Sequence, residues 1–130
     1  MKILTVLCQK GGVGKTTFVV NLGKLLSHKG YKTLLIDTDP QGNVSTYLNF
    51  DKNSKAVLSA TDLFENRLDK EITKVSENLY LIPSNKSIIK HSSEKIIGGS
   101  KLFKHKNFLI ENGFDLVLID TPPTISSLTQ

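Results

Sequence analysis

The 130-residue chain has a single cysteine, Cys8, so no internal disulfide framework can hold it together. Its three histidines, His28, His91 and His105, fall at no spacing that suits a structural metal site. No apolar run approaches the ~18 residues that a membrane-spanning helix needs. The opening residues Met1 to Cys8 are too short for a secretory leader and run straight into glycines. Arginine is nearly missing, with Arg67 the one example among 17 basic residues. These shortages argue against a secreted scaffold, a zinc module and a membrane protein.

What remains is ordinary globular material, 38% hydrophobic and 22% charged, enough for one core and one domain. The net charge of +5 is unevenly placed. Lys86, Lys90, Lys95, Lys101, Lys104 and Lys106 face a single acid, Glu94, so this stretch carries all of the excess. Lysine-rich charge suits sequence-blind attraction to phosphate better than bidentate base reading. A solvated helical face is the plainer alternative.

Residues 2–8 read as a buried parallel strand, followed by a glycine-rich turn. A helix is predicted from about Lys15 to Lys29, with Val19, Leu22 and Leu26 on one face, flanked by Phe18 and Leu25. Gly30 supplies its stop. A second strand, Thr33 to Ile36, ends at Asp37. Strand, loop, helix and strand make a right-handed βαβ unit. From Asp51 to Ser76 the chain is polar, with one short amphipathic piece around Asp62 to Phe64. Leu79 to Ile82 reads as a third strand. Lys101 to Glu111 reads as a helix with Leu102, Phe103, Leu109 and Ile110 as its apolar residues. Phe114 to Ile119 reads as a fourth strand that carries Asp120 at its carboxyl end.

Gly11-Gly12-Val13-Gly14-Lys15-Thr16-Thr17 lies between the first strand and the first helix. Small residues there let backbone N–H groups converge on phosphate oxygens, and the helix start adds a positive dipole end. Lys15 is placed to reach the β- and γ-phosphates, and the Thr16 hydroxyl to ligate magnesium. Asp37 and Asp39, two apart at a strand end, can point to the same side, toward a metal or a water. An Asp pair before Pro40 is also good turn chemistry. Among weaker candidates, Cys8 reads as a small buried thiol, and His91 and His105 as surface residues. Tyr47 could pack against the core or lie on the surface.

Lys10 to Thr17 resembles the deviant Walker A motif of the ParA/MinD family of ATPases. The ordinary phosphate loop has glycine five places before Gly14, where this chain has Gln9, and Lys10 matches the family's signature lysine. Asp37-Thr38-Asp39-Pro40-Gln41-Gly42-Asn43 is similar to the second motif of ParA partition proteins rather than that of MinD. Phe114 to Pro123 resembles the Walker B strand with its Asp-x-Pro-Pro turn. The resemblance implies that residues 10–17 bind ATP, that Lys10 crosses to the phosphates of a second subunit, and that Lys15 and Lys10 neutralise developing charge. It assigns Asp39 to the attacking water, and Thr16, Asp37 and Asp120 to the magnesium shell.

The fold implied is α/β and P-loop NTPase-like, a mostly parallel sheet flanked by helices. Residues 1–130 form one partial domain that stops after the Walker B strand, and the first strand becomes an open edge. The activity implied is slow, magnesium-dependent ATP hydrolysis in plasmid or chromosome partitioning. An ATP-dependent homodimer, a ParB-type partner, non-specific DNA and a cytoplasmic, nucleoid-associated location go with it. A non-catalytic fragment that acts by association and a MinD-like positioning ATPase are the alternatives.

Overall fold

The computed structural model describes residues 1–6, 12–48, 57–84, 87–88 and 105–120. Five strands, β1 (Lys2–Val6), β2 (Thr33–Asp37), β3 (Thr73–Ser76), β4 (Leu79–Ile82) and β5 (Leu116–Asp120), form one sheet in the order β1-β5-β2-β4-β3. All neighbours are parallel except β3, which runs antiparallel to β4. Four helices accompany them among the described residues: α1 (Gly12–His28), α2 (Asn43–Tyr47), α3 (Ala60–Phe64) and α4 (Lys106–Glu111).

Strand register sorts the side chains into two layers. Leu4, Leu118, Leu35 and Leu81 lie side by side across four strands. Three of them, Leu118, Leu35 and Leu81, pack with Val19 and Val20 of α1 and Val44 of α2. Residues one step along each strand point to the other face, as the period of two requires. There Leu34, Ile36, Val117 and Ile119 meet Leu58, Leu63, Phe64 and Leu109. Every residue of β2 is buried, because both its faces are covered. Gly23 lets α1 approach closely: a Cβ built there falls 2.8 Å from Leu35 Cδ2 and 3.3 Å from Leu79 Cδ1.

The predicted stop of α1 is a Schellman closure, with Gly30 at φ +98°. The Gly30 N–H donates to the Ser27 carbonyl and the Tyr31 N–H to that of Leu26. At the amino ends of the strands, Lys32 ties β2 to β5. Its backbone N–H donates to Asp115 Oδ2 at 2.8 Å, and its ammonium lies 5.0 Å and 4.8 Å from the ring centres of Tyr80 and Phe114.

Several expectations change. The polar stretch hides a fifth strand, β3, joined to β4 through Glu77 and Asn78, with Asn78 at φ +62°. Only one apolar residue, Val75, sits in its four positions, too few to show a period. The short amphipathic piece is α3, opened by a reciprocal cap between Ser59 and Asp62. The helix expected from Lys101 is described from Lys106 onward, and Leu102 and Phe103 lie outside the described residues. Within it Leu109 is buried, but Ile110 is exposed. His105, expected at the surface, is buried at 6% exposure and its Nε2 meets the Leu63 carbonyl at 2.7 Å. That one directed bond satisfies a polar ring that could not otherwise enter the core. Phe18, Leu25 and Tyr47 are exposed, and Cys8 and His91 lie outside the described residues.

Gly23→Val puts a branched side chain into the fully packed contact with Leu35 and Leu79. It is expected to cost roughly 1–3 kcal/mol, read from urea unfolding of the two proteins.

Candidate functional site

The carboxyl ends of the parallel strands carry the acids. Asp37 ends β2 and Asp120 ends β5, and the register sets them directly opposite each other. Alternation from Leu35 and Leu118 turns both side chains to the face covered by α1. Both are buried, Asp37 at 0% and Asp120 at 1% exposure. Two adjacent buried carboxylates are electrostatically costly. Burial pushes the Asp37 carboxyl up to about 8, helped by the charge of Asp120 and then of Asp39. The backbone N–H groups of Asp39 and Val44 act in the opposite sense.

The segment after β2 is built from its own side chains. The Asp39 N–H donates to Asp37 Oδ1 at 3.0 Å, and the Gln41 N–H donates to Asp39 Oδ1 at 2.9 Å. Gly42 then adopts φ +64°, which favours glycine, and starts α2. So the pair does perform the turn chemistry, and it does so with one oxygen of each acid. Asp37 Oδ2 is buried with no hydrogen-bond partner among the described residues. Thr16 Oγ1 in the first turns of α1 is in the same condition. A buried oxygen without a donor costs about 1–3 kcal/mol, so native proteins tolerate it where something else completes it.

Gly12, Val13 and Gly14 form the first turn of α1 rather than a loop before it. The N–H groups of such a first turn have no partner within the helix and are left for a cap, water or a ligand. A Cβ built on Gly14 meets nothing within 4 Å among the described residues. Lys15 and Thr17 follow in α1, while Lys10 and Gly11 lie outside the described residues. Asp39 is buried beside the pair, at 4% exposure. Thr38 escaped the sequence reading: it is buried, and its hydroxyl donates to the Asp120 carbonyl at 2.8 Å. Its only signal is its place between two acids.

These residues suit a divalent cation held mostly by ligands from outside the protein. Among the described residues no group of three or more His, Cys, Asp or Glu could enclose a metal. Two carboxylates and one hydroxyl match magnesium, which keeps several waters and takes oxygen from phosphate. A glycine-rich helix start that follows one parallel strand, with a buried acid pair at the carboxyl ends of two others, defines a phosphate-binding α/β domain of the P-loop type.

Comparison with known proteins agrees. All of residues 1–130 match the family described as AAA domain, and the chain belongs to that family. It is 35% identical over 132 residues to the sporulation initiation inhibitor protein Soj of Bacillus subtilis, covering 98% of this chain and 52% of that one. It is 36% identical over 133 residues to the chromosome-partitioning ATPase Soj of Treponema pallidum, covering 98% and 51%. A plasmid partition protein of Borrelia burgdorferi solved with AMPPNP superposes with a TM-score of 0.72 at 33% identity, covering 94% and 54%. Cobyrinic acid a,c-diamide synthase of Mycobacterium smegmatis, with a bound ATP analogue and magnesium, gives 0.76 at 30%, covering 95% and 52%. The chain thus carries the region of a ParA/Soj-type protein that holds these motifs, and it spans about half the length of such relatives.

The raised Asp37 group fixes the sign of a pH effect. The unfolded carboxyl releases its proton near 3.8 and the folded one near 8, so between these values the folded state binds more protons. Stability from this group is complete below the lower value and is lost as pH rises through the upper one. The slope reaches about 1.4 kcal/mol per pH unit. Asp37→Asn keeps an acceptor for the Asp39 N–H and removes the charge. Urea midpoints from pH ~5 to ~8.5 should fall for the parent, stay flatter for the variant, and favour the variant at the alkaline end.

Proposed function

We propose that this chain supplies the phosphate- and magnesium-binding part of a ParA/Soj-like ATPase acting in plasmid or chromosome partitioning. The reading rests above all on the buried Asp37–Asp120 pair, with Asp37 Oδ2 and Thr16 Oγ1 lacking hydrogen-bond partners among the described residues. The Soj relatives and the nucleotide-bound neighbours support it. Residues 1–130 are read as one partial domain.

In this reading the N–H groups of residues 11–14 and the start of α1 hold phosphate oxygens, with Thr17 continuing the cradle. Lys15 neutralises the β- and γ-phosphates, and Lys10 reaches the phosphates of a second subunit in an ATP-dependent homodimer. The Thr16 hydroxyl, Asp37 and, through water, Asp120 hold Mg2+. Bound there, the ion offsets negative charge on the phosphate oxygens. Asp39 orients the attacking water. Its oxygen bonds to the γ-phosphorus as the bond to ADP breaks, and the surplus proton leaves to solvent. A ParB-type partner, non-specific DNA and a cytoplasmic, nucleoid-associated setting follow from the partition role. No described helix is long and apolar enough to cross a membrane.

ATP titration by calorimetry, with Mg2+, tests the site. Lys15→Ala is expected to weaken binding by more than about tenfold, as loss of a charge-assisted contact implies. Asp39→Ala should bind ATP as the parent does and fail to turn it over. Parent-like hydrolysis by Asp39→Ala overturns that residue's role, and a folded parent chain that binds no ATP overturns the site.

One observation favours a second reading, action by association. Among the described residues no strand lies beyond β1, and Leu4 in its middle is 44% exposed. Phe18 and Leu25 of α1 are exposed as well. Unpaired apolar edges attract other chains. Leu4→Lys should therefore shift any concentration-dependent assembly toward monomer, as light scattering after gel filtration would report.

A further inference from the structure

We propose that Thr38 is a positioning residue that locks the ends of β2 and β5 together and so sets the two carboxylates at the separation a divalent cation needs. The inference rests on the magnesium site proposed above and extends it to a residue that does not itself touch the ion.

Asp37 and Asp120 are the last registered pair of β2 and β5 among the described residues. Holding two buried acids side by side is unfavourable in itself. Thr38 fastens the two strands at the next position. Its backbone N–H donates to the Asp120 carbonyl at 3.0 Å, and its Oγ1 donates to the same oxygen at 2.8 Å. Both lone pairs of that carbonyl are therefore used by one residue. Thr38 is 3% exposed, so water does not compete for either bond. A β-branched side chain is stiff about χ1, which keeps the hydroxyl on its target.

The placement explains why a threonine suits the position between two acids. Asp37 and Asp39 flank it and are held to each other by the Asp39 N–H on Asp37 Oδ1. Thr38 thus links the β2 acids to the β5 acid through backbone, leaving Asp37 Oδ2 unbonded among the described residues. A site organised before the ion arrives spends less of the binding energy on ordering its ligands. Thr38→Val keeps the shape and the backbone bond and removes only the hydroxyl. Thr38→Ser keeps the hydroxyl.

The two variants and the parent chain are compared by two readouts. Amide exchange at Thr38 reports the clamp without any ligand. Mn2+ affinity, read from water-proton relaxation with ATP present, reports the site. Thr38→Val is expected to speed exchange at residue 38 and to weaken Mn2+ by about fivefold each, the loss of one net hydrogen bond. ATP affinity without metal should not change, and Thr38→Ser should restore most of both effects. Exchange in Thr38→Val equal to that of the parent overturns the clamp. Faster exchange with unchanged Mn2+ affinity overturns the positioning role while the proposed site stands. A folded parent chain that binds no Mn2+ with ATP overturns the site and the positioning role together.

Discussion

The pairing of β2 with β5 is the constraint from which the other features follow. It brings Asp37 and Asp120 side by side at one end, and residues 33 and 116 together at the other. The two strands are separated in sequence by about eighty residues, so chain connectivity alone does nothing to hold them. Hydrophobic burial does: Leu34 and Ile36 share one core with Val117 and Ile119, and Leu35 shares the other with Leu118. Each end is also fastened. Lys32 and Asp115 exchange backbone and side-chain bonds at the amino end, and Thr38 grips Asp120 at the carboxyl end.

Such fastening is needed because the pair it holds is unfavourable by itself. Desolvation and the neighbouring acids raise the Asp37 group toward neutrality, and its Oδ2 has no hydrogen-bond partner among the described residues. Consistency between local and global preferences is the rule in folded chains, and exceptions collect at functional sites. Thr73 and Ser84 also carry buried hydroxyls without a partner among the described residues, but those are neutral groups. At Asp37 the cost falls on a buried acid beside a second acid, where a cation and phosphate oxygens would relieve it. Stability given up there is an argument for function that no glycine motif supplies alone.

The parts legible in the sequence were those with strong local chemistry. Apolar runs marked β2, β4 and β5, and Gly30 marked the end of α1. The acids Asp37 and Asp120 stood out because a charge that ends an apolar run has few structural excuses. The parts that were not legible depend on contacts distant in sequence. β3 has one apolar residue and borrows its stability from β4. His105 looked like a surface residue because its partner, the Leu63 carbonyl, lies 42 residues away. Thr38 carries no reading of its own in the sequence, since nothing local shows that its hydroxyl reaches a carbonyl 82 residues on. Burial of a polar side chain is decided by whether a partner exists, and the partner is a property of the fold.

The division of the molecule also bears on how the site could work. Asp37 and Asp120 end strands that are paired with each other within this chain, and Asp39 follows β2 directly, so the placing of the acids does not wait on further sheet. The opposite holds for β1. It is paired on one side only among the described residues, its Leu4 remains exposed in a row whose other three leucines are buried, and Phe18 and Leu25 of α1 are exposed as well. In the sequence Lys10 and Gly11 follow this same strand. The acids of the site therefore end strands at the middle of the sheet, whereas α1 is preceded by the strand at its edge. Any strand or chain that covers β1 would lie beside the strand that leads into α1 and would reach the Asp37–Asp120 pair only through β5. Covering that edge should accordingly act on phosphate binding before it acts on the cation.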